Sequence, residues 1–441
     1  MSWLLAALLA SPAHAEQAAQ DGLDVSGSAR IRYEAVGNQF RPGLERNTDA
    51  VLLQATLAAE YRAGPVRIGA ELDDSRVYFA GPGSSISTSE VNTLEPVQAY
   101  LALDLGRALG KGSQASLKAG RFTLDLGSRR LVARNNFRNT TNAFTGIEGD
   151  WRGADGSRFT AFYTLPVQRL PADKPAILNN TVEWDRQNFD LDFWGGFYAR
   201  PVAHGTTFEA YLYGLDERDA PGTATRDRTL YTPGARLVRK PAAGQWDYEF
   251  EGAYQFGHAS TTTAATAPRV EVSAYTLHAE VGRTFAGGWK PHLSLEYDRA
   301  SGDGPGTGYG RFDALYGARR GDFGPTSLFG PYGRSNISAP GVRLEVTPSN
   351  RLDAFVHYSP AWLADKTDSF ASTAVRDPSG ASGSFAGHEI EARARYALVP
   401  KLLRIEAGAA VLLEGRFLRD APNANGFGDP VYGYMELSAQ F

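Results

Sequence analysis

The chain has 441 residues, no cysteine, 48 glycines and a formal net charge of −4. The absence of cysteine excludes a disulfide scaffold, a Cys-ligated zinc site, an iron–sulfur cluster and a thiol nucleophile. The 45 basic residues nearly balance the 49 acidic ones, which argues against a basic nucleic-acid-binding protein and against an acidic disordered tail.

The N-terminus is predicted to be a secretory signal peptide. An apolar run ends at Ala10 and is followed by the sequence SPAHA, which closes on Ala15. Small residues around one position are what a signal peptidase accepts, so we expect residues 1–15 to be removed and residues 16–441 to form the mature chain. The alternative is a buried N-terminal helix, which Pro12 and the lack of an amphipathic period disfavour.

Apolar and polar residues alternate along most of the chain after residue 22. No stretch reaches ~18 consecutive apolar residues, so no membrane-spanning helix is predicted. Successive side chains of a strand point to opposite faces, and each alternating segment therefore has one apolar and one polar face. The pattern predicts 18 strands, each near the ~9–11 residues that a tilted membrane strand needs. They lie near 23–35, 51–62, 65–79, 93–105, 113–124, 143–153, 157–167, 189–201, 206–217, 228–240, 246–260, 269–284, 289–301, 334–348, 351–364, 384–397, 402–416 and 430–441.

Long and short connections alternate between these strands. An outer-membrane barrel has tight turns at its periplasmic rim and longer loops at its surface rim, whereas a β-sandwich gives no reason for this alternation. We therefore predict an all-β, single-domain, transmembrane antiparallel β-barrel over residues 16–441, with the bilayer and lipopolysaccharide of the bacterial outer membrane around it. The long segments are 37–49, 80–92, 125–142, 168–188, 261–268, 302–333, 365–383 and 417–429.

The chain ends with an amphipathic strand whose last residue is Phe441. Such a strand is common in bacterial outer-membrane proteins, and we expect the outer-membrane insertion machinery to recognise it as a partner.

Charged residues concentrate on the face that we assign to the lumen. Arg or Lys facing lipid costs about 2–4 kcal/mol at the bilayer midplane, and a barrel of ~16–18 strands leaves room for water inside. The predicted lumen therefore is wet and charged. Its charged residues are Arg30, Arg32, Glu60, Arg62, Arg67, Glu71, Asp190, Asp192, Asp247, Glu249, Glu251, Arg343, Glu345, Glu391, Arg393, Arg395, Arg404 and Glu406.

Two segments carry motifs of a known family. Residues 120–146 read GRFTLDLGSRRLVARNNFRNTTNAFTG, and residues 300–330 read ASGDGPGTGYGRFDALYGARRGDFGPTSLFG. They resemble the bacterial alginate-export outer-membrane porin family. The matching positions are Gly120, Arg121, Gly127, Arg130, Leu131, Arg138, Asn139, Phe144, Gly146, Ala300, Ser301, Gly302, Asp303, Phe312, Asp313, Leu315 and Tyr316.

The resemblance implies passive conduction of an anionic polysaccharide such as alginate, or of its oligomers, through an arginine-lined pore. A guanidinium stays charged and pairs bidentately with a carboxylate, and many weak contacts suit a chain that must also leave. Resemblance and position give four pore candidates in a segment that can fold inward, and face alone gives six more. The first four are Arg121, Arg130, Arg134 and Arg138; the others are Arg30, Arg32, Arg343, Arg393, Arg395 and Arg404.

The same arginines have a second interpretation, in which they neutralise neighbouring lumen acids. A tight turn at 399–400 predicts that Arg395 lies opposite Arg404. The same register predicts that Arg393 lies opposite Glu406. Like charges opposed cost stability, so their retention favours an anion path. However, the predicted lumen holds at least as many acids as bases, and a net charge of −4 gives no global steering of anions. The alternative is a porin for small solutes on the same barrel, and a third hypothesis is an outer-membrane enzyme or adhesin.

Metal and catalytic signals are weak. Asp298 and Asp303 border a glycine-containing loop whose oxygens make a candidate Ca²⁺ site, although a solvated loop is the alternative. The histidines lack H-x-x-x-H and H-E-x-x-H spacing. We therefore expect neither a cofactor nor an enzymatic activity.

Overall fold

The computed structural model describes residues 21–220, 222–325 and 328–441, and the predicted signal peptide lies outside them. All 18 predicted strands are confirmed. They are β1 Gly22–Gly37, β2 Thr48–Ala63, β3 Val66–Tyr78, β4 Asn92–Gly106, β5 Gln114–Phe122, β6 Phe144–Arg152, β7 Arg158–Pro166, β8 Leu191–Pro201, β9 Thr206–Glu217, β10 Thr229–Arg239, β11 Trp246–Ser260, β12 Arg269–Thr284, β13 His292–Ala300, β14 Ile337–Val346, β15 Leu352–Trp362, β16 Phe385–Val399, β17 Leu403–Glu414 and β18 Val431–Gln440.

The strands form one closed antiparallel barrel. Each strand pairs with its neighbours in sequence, and β18 closes the sheet by pairing with β1. Closure leaves no edge strand with unpaired backbone groups, which is what allows a sheet to cross a bilayer. Within the described parts of the chain, no helix has the length and apolarity to cross a membrane.

Long loops and short turns occupy opposite rims, as the sequence predicts. The loops that bear on the site are L1 (38–47), L2 (79–91), L3 (123–143), L4 (167–190) and L7 (301–336). L4 contains the one-turn helix α1, Lys174–Leu178, and the last loop contains α2, Arg416–Asp420.

The two faces of the sheet differ in polarity along almost every strand. In β1, Leu23 is 65% exposed and Ile31 47% exposed on the outer face, whereas Arg32 is fully buried inside. The assignment of Asp192 to the lumen is wrong, and Asp190 lies at the end of L4 rather than in a strand. Phe193 points into the barrel, so Asp192 lies on the outer face near the loop rim and accepts a hydrogen bond from the exposed Tyr163 hydroxyl at 2.7 Å.

L3 and L7 fold into the lumen and fill much of it with side chains. The Tyr316 ring of L7 lies 4.9 Å from Phe193 and 5.1 Å from Phe144, both of which point inward from the wall. Further buried aromatic side chains of L7 pack beneath the loop rim, among them Phe323, Phe329 and Tyr332. Two of the barrel's own loops, L3 and L7, therefore narrow its lumen.

Candidate functional site

L3 crosses the lumen and forms hydrogen bonds with the barrel wall on both sides. On one wall, Arg30 of β1 donates to the Asn136 carbonyl at 2.8 Å, and Arg32 donates to the Phe137 carbonyl at 2.8 Å. On the opposite wall, the L3 residue Arg130 donates to Glu251 of β11 at 2.7 Å. L3, which carries Arg130, Arg134 and Arg138, therefore lies inside the barrel, whereas Arg121 lies in β5.

L7 packs against L3 and reaches a third part of the wall. Val132 of L3 forms a parallel bridge with Tyr316 of L7. Arg320 of L7 donates to Glu391 of β16 at 2.5 Å, and Arg343 of β14 donates to the Gly321 carbonyl at 2.9 Å. L3 and L7 therefore form one plug with contacts around the barrel.

Nine of the ten predicted pore arginines form ion pairs with carboxylates. Arg130 shows the pattern best, because it contacts Glu249, Glu251 and Asp322 together. The remaining pairs are Arg30–Glu436, Arg32–Glu34, Arg121–Glu95, Arg134–Glu71, Arg343–Glu296, Arg393–Asp353, Arg395–Glu406 and Arg404–Glu436. Neutralisation of lumen acids thus describes the surroundings of these nine arginines.

The predicted register at the 399–400 turn is wrong. Residues 400–402 form the turn, in which Lys401 adopts a positive φ of 68° and Leu402 donates to the Val399 carbonyl at 3.0 Å. The longer turn shifts the pairing, so Arg395 lies opposite Glu406 and their side chains are 2.5 Å apart. Arg404 lies opposite Ala397, so the predicted pairing of Arg395 with Arg404 does not form.

The two acids of the predicted calcium loop have separate surroundings. Asp298 belongs to β13 rather than to a loop and lies 2.9 Å from His278 Nδ1. Asp303 of L7 accepts a hydrogen bond from the Gly310 amide at 3.0 Å. Over the described residues, the groups of side chains close enough to share an ion include Asp298 but not Asp303.

Arg138, the tenth predicted arginine, borders a polar cavity of about 330 Å³ between the loops. We call this space the basic cavity. Residues of L1, L2, L3 and L7 line it: Arg41, Ser85, Ser87, Ser89, Glu90, Asn135, Arg138, Ala314, Gly317 and Arg319.

The cavity arginines bond to neutral oxygens. Arg138 donates to the Thr140 carbonyl at 3.1 Å and to Asn142 Oδ1 at 2.5 Å. Arg319 donates through Nη1 to the Tyr332 carbonyl at 3.2 Å, and Arg41 donates through Nη2 to the Gly330 carbonyl at 2.6 Å. Over the part of the chain that the structure describes, none of the three has a carboxylate within ion-pair distance.

Positive charge therefore exceeds negative charge around the cavity. Three guanidinium groups face one carboxylate, that of Glu90, which accepts bonds from the Ser87 amide at 2.9 Å and the Ser87 hydroxyl at 3.0 Å. Arg169 of L4 adds a fourth cation, since it shares Asn142 Oδ1 with Arg138. Arg41 Nε is buried without a hydrogen-bond partner.

The pKa values of these loop arginines reflect the missing counter-charge. Burial lowers the pKa of Arg41 and of Arg319 to about 10. Burial, with the neighbouring charge of Arg169, lowers the pKa of Arg138 well below its ordinary value. A buried charge without a partner is costly, so an anion that enters the cavity supplies what these side chains lack.

L4 packs against L2, which lines one side of the cavity. Lys174 of α1 donates to the Ser84 and Ile86 carbonyls, both at 2.7 Å. Further along the loop, the Asp185 carboxylate accepts from the Leu170 amide at 2.8 Å and from Asn92 at 2.9 Å. Burial, followed by the nearby Glu95 carboxylate, raises the pKa of Asp185 to about 6.

Docking of L4 is expected to weaken as the pH rises through about 6. Since the folded-state pKa of Asp185 exceeds the unfolded value of about 3.9, its contribution to docking is fully present below pH ~4 and is lost above the folded-state pKa. Hydrogen exchange of L4 amides, corrected for intrinsic rates, should be slower at pH 5 than at pH 7.5. The Asp185→Asn variant should remove most of this difference, and an equally pH-dependent variant would contradict the assignment to Asp185.

A comparison with protein families shows which family the chain belongs to. The family model described as alginate export matches residues 21–427. The chain belongs to the alginate export family. It is an outer-membrane β-barrel channel, as the sequence motifs and the closed sheet predict. No curated protein matches the chain significantly in sequence.

Solved porins share the fold at low sequence identity. The BenF-like porin from Pseudomonas fluorescens Pf-5 is 12% identical with a TM-score of 0.62, covering 95% of this chain and 98% of that one. Pseudomonas aeruginosa OccK8 (OprE) is 12% identical with a TM-score of 0.60 and the same coverage. Acinetobacter baumannii OccAB1 is 13% identical with a TM-score of 0.59, covering 95% and 96%.

Sequence reasoning found Arg138 but missed its companions. Arg41, Glu90 and Arg169 lie in loops without the period-two pattern that identified the lumen face. Arg319 lies inside the second family motif, directly before Arg320. That motif was the only sequence signal that pointed towards any of the four.

Proposed function

We propose that the channel conducts small carboxylate-bearing solutes, with uronate oligomers among them, and that the basic cavity binds their carboxylates in transit. The observation that carries this proposal is the group of Arg41, Arg138 and Arg319 around a polar space, bonded to neutral oxygens. Guanidinium groups recognise carboxylates through paired hydrogen bonds. The serine hydroxyls of L2 suit a solute that also carries hydroxyl groups.

Export of an intact polysaccharide is the second candidate, and the family match favours it. Passage of a polymer requires displacement of L3 and L7, which are held in the lumen by contacts such as Arg130–Asp322 at 2.8 Å. A small solute of the cavity's size, about 330 Å³, places less demand on the plug. We therefore propose monomers and short oligomers, rather than the intact polymer, as the main solutes of the channel.

The proposal further includes the chain's surroundings and its biogenesis. Residues 1–15 are the cleaved signal peptide, residues 16–441 are the mature barrel, and lipopolysaccharide surrounds its outer half. The ring of Phe441, 75% exposed after β18, supports recognition of the terminal strand by the insertion machinery. No enzymatic activity is proposed.

Block of single channels by glucuronate tests the proposal. In planar bilayers, Arg138→Gln and Arg319→Gln are each expected to weaken block about tenfold or more, because a hydrogen bond to a charged group contributes about 1.5–3 kcal/mol. Arg138→Lys, which keeps the charge, should retain part of the block. The exposed Arg269→Gln at the start of β12 is the matched control and should behave as wild type.

Two results would overturn the proposal. One is block that is equal in wild type, Arg138→Gln and Arg319→Gln. The other is a clear preference of the wild-type channel for cations, which would favour a porin of different selectivity on the same barrel.

A further inference from the structure

A second polar cluster lies on the wall formed by β11, β12 and β13, near the short-turn rim. Asp247 is the second residue of β11, His292 is the first residue of β13, and Glu280 lies in β12 between them. All three side chains face the lumen. One ligand atom from each lies within 4.8 Å of the others.

A glycine in β12 leaves the space in which the ligand atoms of Asp247 and His292 approach each other. Gly282 lies opposite Asp247 in the β11–β12 pairing and opposite Ser294 in the β12–β13 pairing. A Cβ at Gly282 would overlap both Asp247 Oδ1 and His292 Nε2. The two atoms thus meet over a glycine, at a separation of 3.0 Å.

The cluster differs from most of the lumen wall in its counter-charge. The Asp247 carboxylate is 3% exposed, and His292 is the partner that the structure shows for it. Several other buried acids of the lumen are bonded to arginine, as Glu251 is to Arg130. Among the described residues, neither Asp247 nor Glu280 lies within ion-pair distance of an arginine, and two carboxylates with one imidazole form a donor set suited to a cation.

A second histidine, His278, lies beside Glu280 and is not itself one of the three proposed ligands. His278 is 3% exposed, and its Nε2 is buried without a hydrogen-bond partner at 3.9 Å from Glu280 Oε2. Its Nδ1 is held by Asp298 at 2.9 Å, which fixes the ring so that Nε2 points at Glu280. Residues that orient a ligand in this way are typical of metal sites.

We propose that Asp247, Glu280 and His292 bind one divalent transition-metal ion, best matched by Zn²⁺, with His278 as a positioning residue for Glu280. Zn²⁺ accepts imidazole nitrogen together with carboxylate oxygen and takes three protein ligands plus a water. A site of carboxylates alone would suit Ca²⁺ or Mg²⁺ better, and the imidazole favours a transition metal. The site is separate from the basic cavity and does not depend on the proposed solute.

Titration calorimetry of the folded barrel in detergent with ZnCl₂ tests this proposal. Wild type should bind one Zn²⁺ per chain saturably, and Asp247→Asn and His292→Gln should each lose that binding. His278→Gln should bind about tenfold more weakly, as expected for a residue that orients a ligand. His258→Gln, an exposed position on β11, is the matched control and should bind as wild type.

Heat-dependent migration of each variant on SDS gels reports whether the barrel is folded, so loss of binding can be separated from loss of structure. The proposal is overturned if the wild type shows no saturable binding. It is equally overturned if folded His292→Gln binds Zn²⁺ as tightly as wild type. In that case Asp247 and His292 would form only an ion pair.

Discussion

Replacing Asp322 by asparagine is expected to raise the single-channel conductance severalfold and to loosen L3 and L7. Asp322 of L7 bonds Arg130 of L3 at 2.8 and 3.0 Å and also bonds Arg334. Although burial opposes ionisation, Arg130 and Arg334 hold the pKa of Asp322 well below its ordinary value. The carboxylate is therefore charged at all relevant pH values and joins the two loops.

The size of the effect follows from what Asp322→Asn leaves behind. Arg130 keeps Glu249 and Glu251, but Arg334, only 2% exposed at its side chain, loses the carboxylate that it contacts. Breaking one side of a buried ion pair costs about 3–5 kcal/mol. The lost free energy destabilises the packing of L3 and L7 and leaves the barrel intact, because the barrel strands keep their own backbone pairing.

Conductance in planar bilayers and limited proteolysis of L7 measure this change. Asp420→Asn is the matched control, because it removes an aspartate from the exposed Arg416–Asp420 pair of α2, and exposed pairs contribute about 0–1 kcal/mol. Wild-type conductance and protease resistance in Asp322→Asn would contradict the role of this carboxylate.

The second large effect is expected from Gly317→Ala. A Cβ on Gly317 of L7 would overlap the carbonyl oxygen and carbon of Arg130 in L3. Backbone atoms cannot rotate away as a flexible side chain can, so the two loops must separate. Because Ala318 and Tyr316 on either side bond to the L3 backbone at 2.9 and 3.0 Å, separation also breaks these hydrogen bonds.

The steric nature of this effect is tested by a neighbouring glycine. A Cβ on Gly321, also in L7, meets no atom within 4 Å, so Gly321→Ala should behave as wild type. Gly317→Ala should show higher and noisier conductance together with weaker glucuronate block, because Gly317 also lines the basic cavity. Indistinguishable currents from the two variants would contradict the tight contact between L3 and L7.

The strands were predictable because each carries a repeated local signal. Alternating side chains specify one lumen face and one lipid face, and β1 shows this with Ile31 outside and Arg32 inside. The same signal failed at Asp192, where the strand leaves the loop rim and a polar residue on the outer face costs little. It also failed at Lys401, whose positive φ of 68° lengthens a turn that local sequence suggested was tighter.

The site was less predictable because its contacts join distant parts of the chain. Arg130 lies 119 residues from Glu249 and 192 residues from Asp322, and only closure of the barrel brings them together. The family motif identified Arg138, yet Arg41 meets the same cavity through a loop with no periodic pattern. Loop residues in the lumen come together through three-dimensional packing. They therefore follow no regular spacing in the sequence from which their contacts could be predicted.

The anion-binding capacity of the basic cavity is tested most directly by a crystal structure of the barrel soaked in bromoacetate, a small carboxylate with an anomalous scatterer. The account predicts a bromine peak inside the cavity, with the carboxylate bonded to Arg138 and Arg319. Bromine peaks confined to the outer surface, with only water between Arg41, Arg138 and Arg319, would contradict it.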